Sequence, residues 1–168
     1  AHVGNATASA EFNVWHDPEA AAIVLQSAAE LDIPVVMYGL DVFYDVTVTR
    51  AQAAKLIGVG GRGPAELAGR LVDFQCGRFG QDEVTIGDAG AVCAVIDRGA
   101  VTTERLPVRV ELAGTYSRGR TIVDRRHWAG DVAHDPLGIP PTSVEVALSV
   151  DGSRCADLWL RAVKVAAR

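Results

Sequence analysis

Three polar side chains with long reach, Asn5, Glu11 and Asn13, stand in "GNATASAEFN" among residues too small to hide them. A carboxylate accepts hydrogen bonds and a carboxamide both donates and accepts, so each can pair with a sugar O–H. Grouped on one loop, they suit a polyhydroxylated ligand. The alternative is a loop that satisfies its own backbone, as Asn, Ser and Thr side chains readily do. Asp88, in "GDAGAVCAVID", is a fourth candidate, although an acid at a helix entrance is accounted for by capping alone. If Glu11 and Asp88 faced one pocket at roughly 5–9 Å, a metal-free two-carboxylate glycosidase would be possible.

Other groups carry weaker chemistry. "GVGGRG" lacks both the Lys-Ser/Thr ending of a P-loop and the dinucleotide frame, and it follows a helix, so it reads as a connector. His127 and His134 lie in a turn-rich segment without a partner four residues on, and His16 reads as a helix-entrance residue. No Ser-His-Asp or Cys-His set assembles, and there is no G-x-S-x-G elbow. Cys76, Cys93 and Cys155 show no CxxC spacing, which predicts buried free thiols in a reducing compartment.

The elements that must position these groups follow from caps and periodicity. Asp17-Pro18-Glu19 starts a helix running to about Leu31, with Ile23, Val24 and Leu31 on its apolar side. "IPVVMYGL", residues 33–40, is a nearly continuous apolar run and predicts a buried parallel strand. "TRAQAAKLIG" predicts a short helix closed by Gly58. Residues 64–79 predict a longer amphipathic helix carrying Leu67, Leu71, Phe74 and Arg78. Residues 87–97 predict a small-residue helix capped by Asp88. Period-two alternation in "RLPVRVELAG" and "SVEVALSVDG", with "GRTIVDRR" between them, predicts three strands. "SRCADLWLRAVKVAAR" closes as a helix with Leu158, Ala162 and Val165 at helical spacing. The sum is an α/β fold with a mixed sheet, one domain over residues 1–168 and no internal repeats.

Composition narrows the class. Of the 168 residues, 49% are hydrophobic and 22% charged, which predicts a folded, well-buried chain. The net charge of -5, with scattered basic residues, argues against non-specific nucleic-acid binding. No apolar run spans a bilayer and no export signal opens the chain, so the expected setting is cytoplasmic, away from membranes. "AHVGN" enters the loop with no preceding element, as a chain cut from something longer would.

"GNATASAEFNVWHDPEAA" matches G-N-x-x-x-x-A-E-F-N-x-x-x-D-P-E-A-A at every fixed position and so resembles the inosine-uridine-preferring nucleoside hydrolases. "PVVMYGLDV" and the stretch from Gly87 to Arg126 are similar to later segments of that family. The order and spacing agree over about residues 4–124. The resemblance implies the nucleoside-hydrolase fold, a mixed sheet flanked by helices, of which this chain looks like the C-terminal half. It implies cleavage of the N-glycosidic bond of ribonucleosides through an oxocarbenium-like transition state, with calcium activating water. Carried over by motif, Asn5, Glu11 and Asn13 bind the ribose hydroxyls, while Asp88 ligates the metal and contacts the sugar.

There are three departures from the family pattern. Gly87 stands where the family has the His that assists the leaving base, so no catalytic acid is assigned. Phe74 and Phe79 lie where the family often carries tyrosines. The family's aspartate-rich metal motif is missing, since "GLDVFYDVTV" offers only Asp41 and Asp45. The expectation is therefore the ribose-binding half of a ribonucleoside hydrolase, weak or inactive alone, forming a homo-oligomer or taking a partner chain to complete the fold. The competing expectation is an inactive, truncated or degenerate relative that serves as a binding module.

Overall fold

The computed structural model describes residues 3–58, 63–126 and 141–165. In chain order these form α1 (Phe12–His16), α2 (Pro18–Glu30), β1 (Val36–Met37), α3 (Leu40–Phe43), β2 (Thr47–Thr49), α4 (Arg50–Ile57), α5 (Pro64–Phe79), β3 (Glu83–Thr85), α6 (Asp88–Ile96), β4 (Val101–Val110), β5 (Thr121–Val123), β6 (Thr142–Val150) and α7 (Gly152–Val165). They fall into two compact units, Ala1–Asp41 with Thr103–Leu148, and Val42–Thr102 with Ser149–Arg168.

The first unit is built on a sheet of order β1-β6-β4-β5. It is mixed, as expected: β1 runs parallel to β6, and β4 runs antiparallel to β5. Alternation aims Leu106 and Val108 of β4 and Val144 and Val146 of β6 into one core, closed by Leu25 of α2, Val35 and Met37. The Asp17 carboxylate accepts from the Ala20 N–H at 2.8 Å and starts α2, with Pro18 at the first helical position. The face of α2 differs from the expected one. Ala28 is buried and Leu25 packs on the core, whereas Ile23, Val24 and Leu31 are exposed.

The expected strand over residues 33–40 is also corrected. Only Val36 and Met37 pair, against Glu145 and Val146. Pro34 has no N–H to give a ladder, and from Leu40 the chain turns into α3. As an edge strand of this unit, β1 leaves Ile33 and Val36 half-exposed.

The second unit packs α4, α5, α7 and the antiparallel β2–β3 pair around Val48, Leu56, Val72, Cys76, Val84 and Leu160. A capping box opens α4, with Thr49 and Gln52 each bonding the other's backbone N–H. Helix α5 spans the expected residues, from Pro64 to the left-handed Gly80 that ends it.

Its packed face is the stripe of small residues, not the bulky one. Ala65, Gly69, Val72 and Cys76 turn inward, while Leu67, Leu71 and Phe74 are 55–65% exposed. Both stripes have the same 4-3-4 spacing, so the period cannot choose between them. The close approach of α4 decides: a Cβ at Gly69 would stand 2.7 Å from the Ala53 carbonyl oxygen, and only the small-residue stripe fits. In α7 the inward face is Cys155, Ala156 and Leu160 with Trp159 and Val163, and Ala162 is exposed. The side chain of Val165 lies outside the described residues. The three cysteines are free and buried, as expected, and burial raises the Cys93 and Cys155 thiols above their ordinary range.

This assignment of faces is testable on α5. Val72→Ala should cost about 1–3 kcal/mol, the transfer of two methyl groups plus a small cavity. Leu71→Ala should stay within about 0.5 kcal/mol, as at other exposed positions. Urea midpoints for the two variants check this, and a larger loss from Leu71→Ala would reverse the assignment.

Candidate functional site

The loop of residues 4–10 first satisfies itself. The Asn5, Ala6 and Thr7 N–H groups converge on the Ala10 carbonyl at 3.2, 3.2 and 3.4 Å. Thr7 Oγ1 accepts from the Ala10 and Ser9 N–H groups at 3.0 and 3.3 Å. The bland reading of this stretch thus accounts for its Thr and its backbone, but only in part for its Asn and Glu.

Asn5 Oδ1 accepts from the Phe12 N–H at 2.7 Å, so it closes the open start of α1 from seven residues away. That leaves the Asn5 side-chain NH2 group, with two donors, on an exposed residue. Glu11 is the N-cap residue of α1 but does not cap it with its side chain. Its Oε1 instead accepts from the Leu40 N–H at 3.2 Å, at the start of α3, leaving Oε2 uncommitted among the described residues. Asn13 is exposed in the first turn of α1, and no described residue bonds its side chain. The three residues thus stand on one loop and one short helix, with donors and an acceptor left over. His16 ends α1 and packs edge-on against Phe12 and Trp15 rather than standing alone.

Asp88 belongs to the second unit. It is exposed and is the first residue of α6, not its cap as expected. The cap position falls to Gly87, at φ 62 and ψ -135, and α6 has no side-chain cap bond. A side chain is strained at that φ whatever the space around it, so residue 87 has a glycine backbone as well as a glycine identity. The Phe43 ring lies 3.5 Å from where a Cβ on residue 87 would be. Among the described residues no group of three or more His, Cys, Asp and Glu side chains is arranged to hold a metal ion. His127 and His134 lie outside the described residues, as do residues 59–62 of the glycine-rich connector. No helix among the described residues is long and apolar enough to cross a membrane.

Burial pushes the Glu11 carboxyl above its ordinary value, against the pull of the Leu40 N–H. Its folded-state pKa therefore exceeds the unfolded one, and the protonated form favours the fold. That contribution is complete below the ordinary value of about 4.5 and is lost as pH rises through the raised value. Glu11→Gln keeps an acceptor for Leu40 and cannot ionise. Its melting temperature should match the parent near pH 4 and exceed it by about 1–4 °C at pH 7. A difference that stays flat with pH would refute the desolvated setting of Glu11.

The chain matches the family model for inosine-uridine preferring nucleoside hydrolases over residues 1–157. It is 40% identical over 129 residues to the inosine-uridine preferring nucleoside hydrolase of Leishmania major, covering 75% of this chain and 40% of the relative. It is 33% identical over 141 residues to a pyrimidine-specific ribonucleoside hydrolase of Escherichia coli, covering 81% of this chain and 43% of the relative. Its fold is similar to that of a purine-preferring ribonucleoside hydrolase from Gardnerella vaginalis, with a TM-score of 0.76 at 27% identity, over 98% of this chain and 49% of that one. The chain thus spans less than half the length of each of these proteins. A family match over nearly all of its residues, and the same α/β fold, make this chain a member of the inosine-uridine preferring nucleoside hydrolase family.

Proposed function

We propose that this chain carries the ribose-binding half of a site that hydrolyses the N-glycosidic bond of ribonucleosides to ribose and free base. The supporting observation is the set of uncommitted polar atoms on Asn5, Glu11 and Asn13, within a motif matched at every fixed position. In this reading the Asn5 NH2 group donates to a ribose hydroxyl oxygen, Glu11 Oε2 accepts from a hydroxyl, and Asn13 does either. As the glycosidic bond lengthens, positive charge develops on the ribosyl ring, and the half-buried Glu11 carboxylate attracts it more strongly than the ground state. The similar proteins are named for inosine-uridine, pyrimidine and purine preference.

Calcium belongs to this reading only in part. The ion takes six to eight oxygen ligands, and Asp88 belongs to no group of three or more such side chains among the described residues. The described residues do not fit the ion by themselves. In our proposal the remaining ligands come from another chain or from a longer form of this one. An inactive binding module is the second reading, favoured by the glycine-only backbone at residue 87, where the family pattern has a proton donor.

Ribose release from inosine and uridine, assayed with calcium present, separates the two. The chain alone should turn over slowly or not at all. General acid and general base catalysis each supply roughly 10²–10⁴-fold, and neither has an assigned residue here. Turnover by the chain alone at an ordinary enzymatic rate, around 1–10³ s⁻¹, would overturn this assignment. Restored turnover on adding a chain with the acidic metal motif would favour the enzyme over the binding module.

Completion by another chain also predicts self-association or partner binding. Leu67, Leu71 and Phe74 expose a row of apolar side chains on α5, Phe79 is exposed at its end, and Ile23, Val24, Leu31 and Ile33 are exposed in the first unit. Sedimentation at micromolar concentration should give a species larger than 17.7 kDa. A clean monomer would show that these rows need no cover.

A further inference from the structure

The turn joining β4 to β5, residues 111–120, has no part in the chemistry above, yet it grips the loop that does. The turn is internally braced. The Glu111 N–H donates to the Arg120 carbonyl at 2.9 Å, and the Gly119 N–H donates to the Glu111 carbonyl at 2.7 Å. Glu111 Oε1 accepts from the Ala113 and Gly114 N–H groups at 2.9 and 3.0 Å.

Three contacts lead from this braced turn to the neighbourhood of Asn5, Glu11 and Asn13. Ser9 Oγ donates to the Tyr116 carbonyl at 2.8 Å, across 107 residues of sequence. One guanidinium nitrogen of Arg118 donates to both Glu19 oxygens at 2.8 Å, and another donates to the Leu112 carbonyl. Gly119, buried at φ 81, lies under α1: a Cβ there would stand 3.0 Å from Trp15 Cα and 3.3 Å from Ala10 Cβ. Ser9 and Ala10 precede Glu11, Trp15 follows Asn13, and Glu19 lies in the first turn of α2.

Helix α1 needs such support. It has five residues and buries none of them, so neither its length nor a core holds it in place. We propose that Ser9, Arg118 and Gly119 form a positioning clamp by which the 111–120 turn fixes α1, and so sets the geometry of Glu11 and Asn13 toward ribose. The proposal deepens the ribose-binding reading and rests on it.

Magnitudes separate positioning from bulk stability. The Arg118–Glu19 pair is about half exposed, at 46% and 53%, and exposed ion pairs add little to stability. The Ser9 bond is exposed as well. Hydrogen bonds to a sugar, by contrast, weaken steeply when a donor or acceptor moves by about 1 Å. Breaking the clamp should therefore cost ligand affinity far more than fold.

The test follows the Asn5 and Asn13 side-chain NH2 signals and the backbone amides of residues 11–15 by NMR, while the full chain is titrated with D-ribose. The parent chain should respond to ribose. Ser9→Ala and Arg118→Met should each bind ribose about 5–20-fold more weakly, with unchanged urea midpoints and faster Trp15 amide exchange. Ser9→Thr keeps the hydroxyl and should restore parental binding. Gly119→Ala places a Cβ against Trp15 and should weaken ribose binding most, if it folds.

Parental ribose affinity in both Ser9→Ala and Arg118→Met would overturn the clamp. If the parent itself shows no ribose response, the ribose reading fails. The clamp is then judged by Trp15 exchange alone, and unchanged exchange in both variants would sink it.

Discussion

The bond from the Leu40 N–H to the Glu11 carboxylate ties the loop of residues 4–11 to the rest of its unit. Leu40 is the first residue of α3, and the first N–H groups of a helix have no partner inside it. Glu11 supplies that partner from 29 residues away and becomes half-buried in doing so. Desolvation raises its pKa, and one of its two oxygens is committed to the backbone. A residue whose type suits ligand binding is thus also a structural acceptor. Asn5 repeats the pattern, with its carbonyl oxygen closing α1 while its NH2 group stays exposed. The two readings of "GNATASAEFN" are compatible, because each side chain divides its polar atoms between them.

Such division works only where the helix carrying the groups is held still. With no buried residue, α1 is located by polar and backbone contacts: the Asn5 bond to Phe12, the Glu11 bond to Leu40, and the fit of Gly119 beneath Trp15. These interactions add modestly to stability and strongly to geometry. In the proposed reading, a site held this way is misplaced by substitutions that leave the core of Leu106, Val108, Val144 and Val146 intact.

What the sequence made legible follows the range of the interactions involved. Caps are local, so Asp17-Pro18 and Pro64 placed the starts of α2 and α5 correctly, and alternation placed β6 and the second half of β4. The motif order that led to the family was legible for the same reason. Faces were not, because a helical period gives spacing without phase. On α5 two stripes share one spacing, and the approach of Ala53 to Gly69 selects the small one. The run at residues 33–40 reads as a buried strand because apolarity does not say where a ladder ends. The Ser9–Tyr116 bond and the seat under Trp15 join residues more than 100 positions apart, and no local pattern announces them.

The apolar side chains left outside the two cores follow a pattern of their own. Singly exposed Leu or Val residues are ordinary on any surface, but rows at helical spacing are not scattered. On α6 the exposed residues Val92, Val95 and Ile96 follow Asp88 at intervals of four, three and one, so they share its face of the helix. Whatever surface covers that row must come to rest beside the Asp88 carboxylate. In the proposed reading, a carboxylate offered to the metal and an apolar row open to solvent therefore make the same demand on one helix face. An element that buried Val92 and Val95 while bringing oxygen ligands to Asp88 would meet both demands at once. On α6, then, the packing argument and the metal argument for the proposed completion, by another chain or by a longer form of this one, become a single argument.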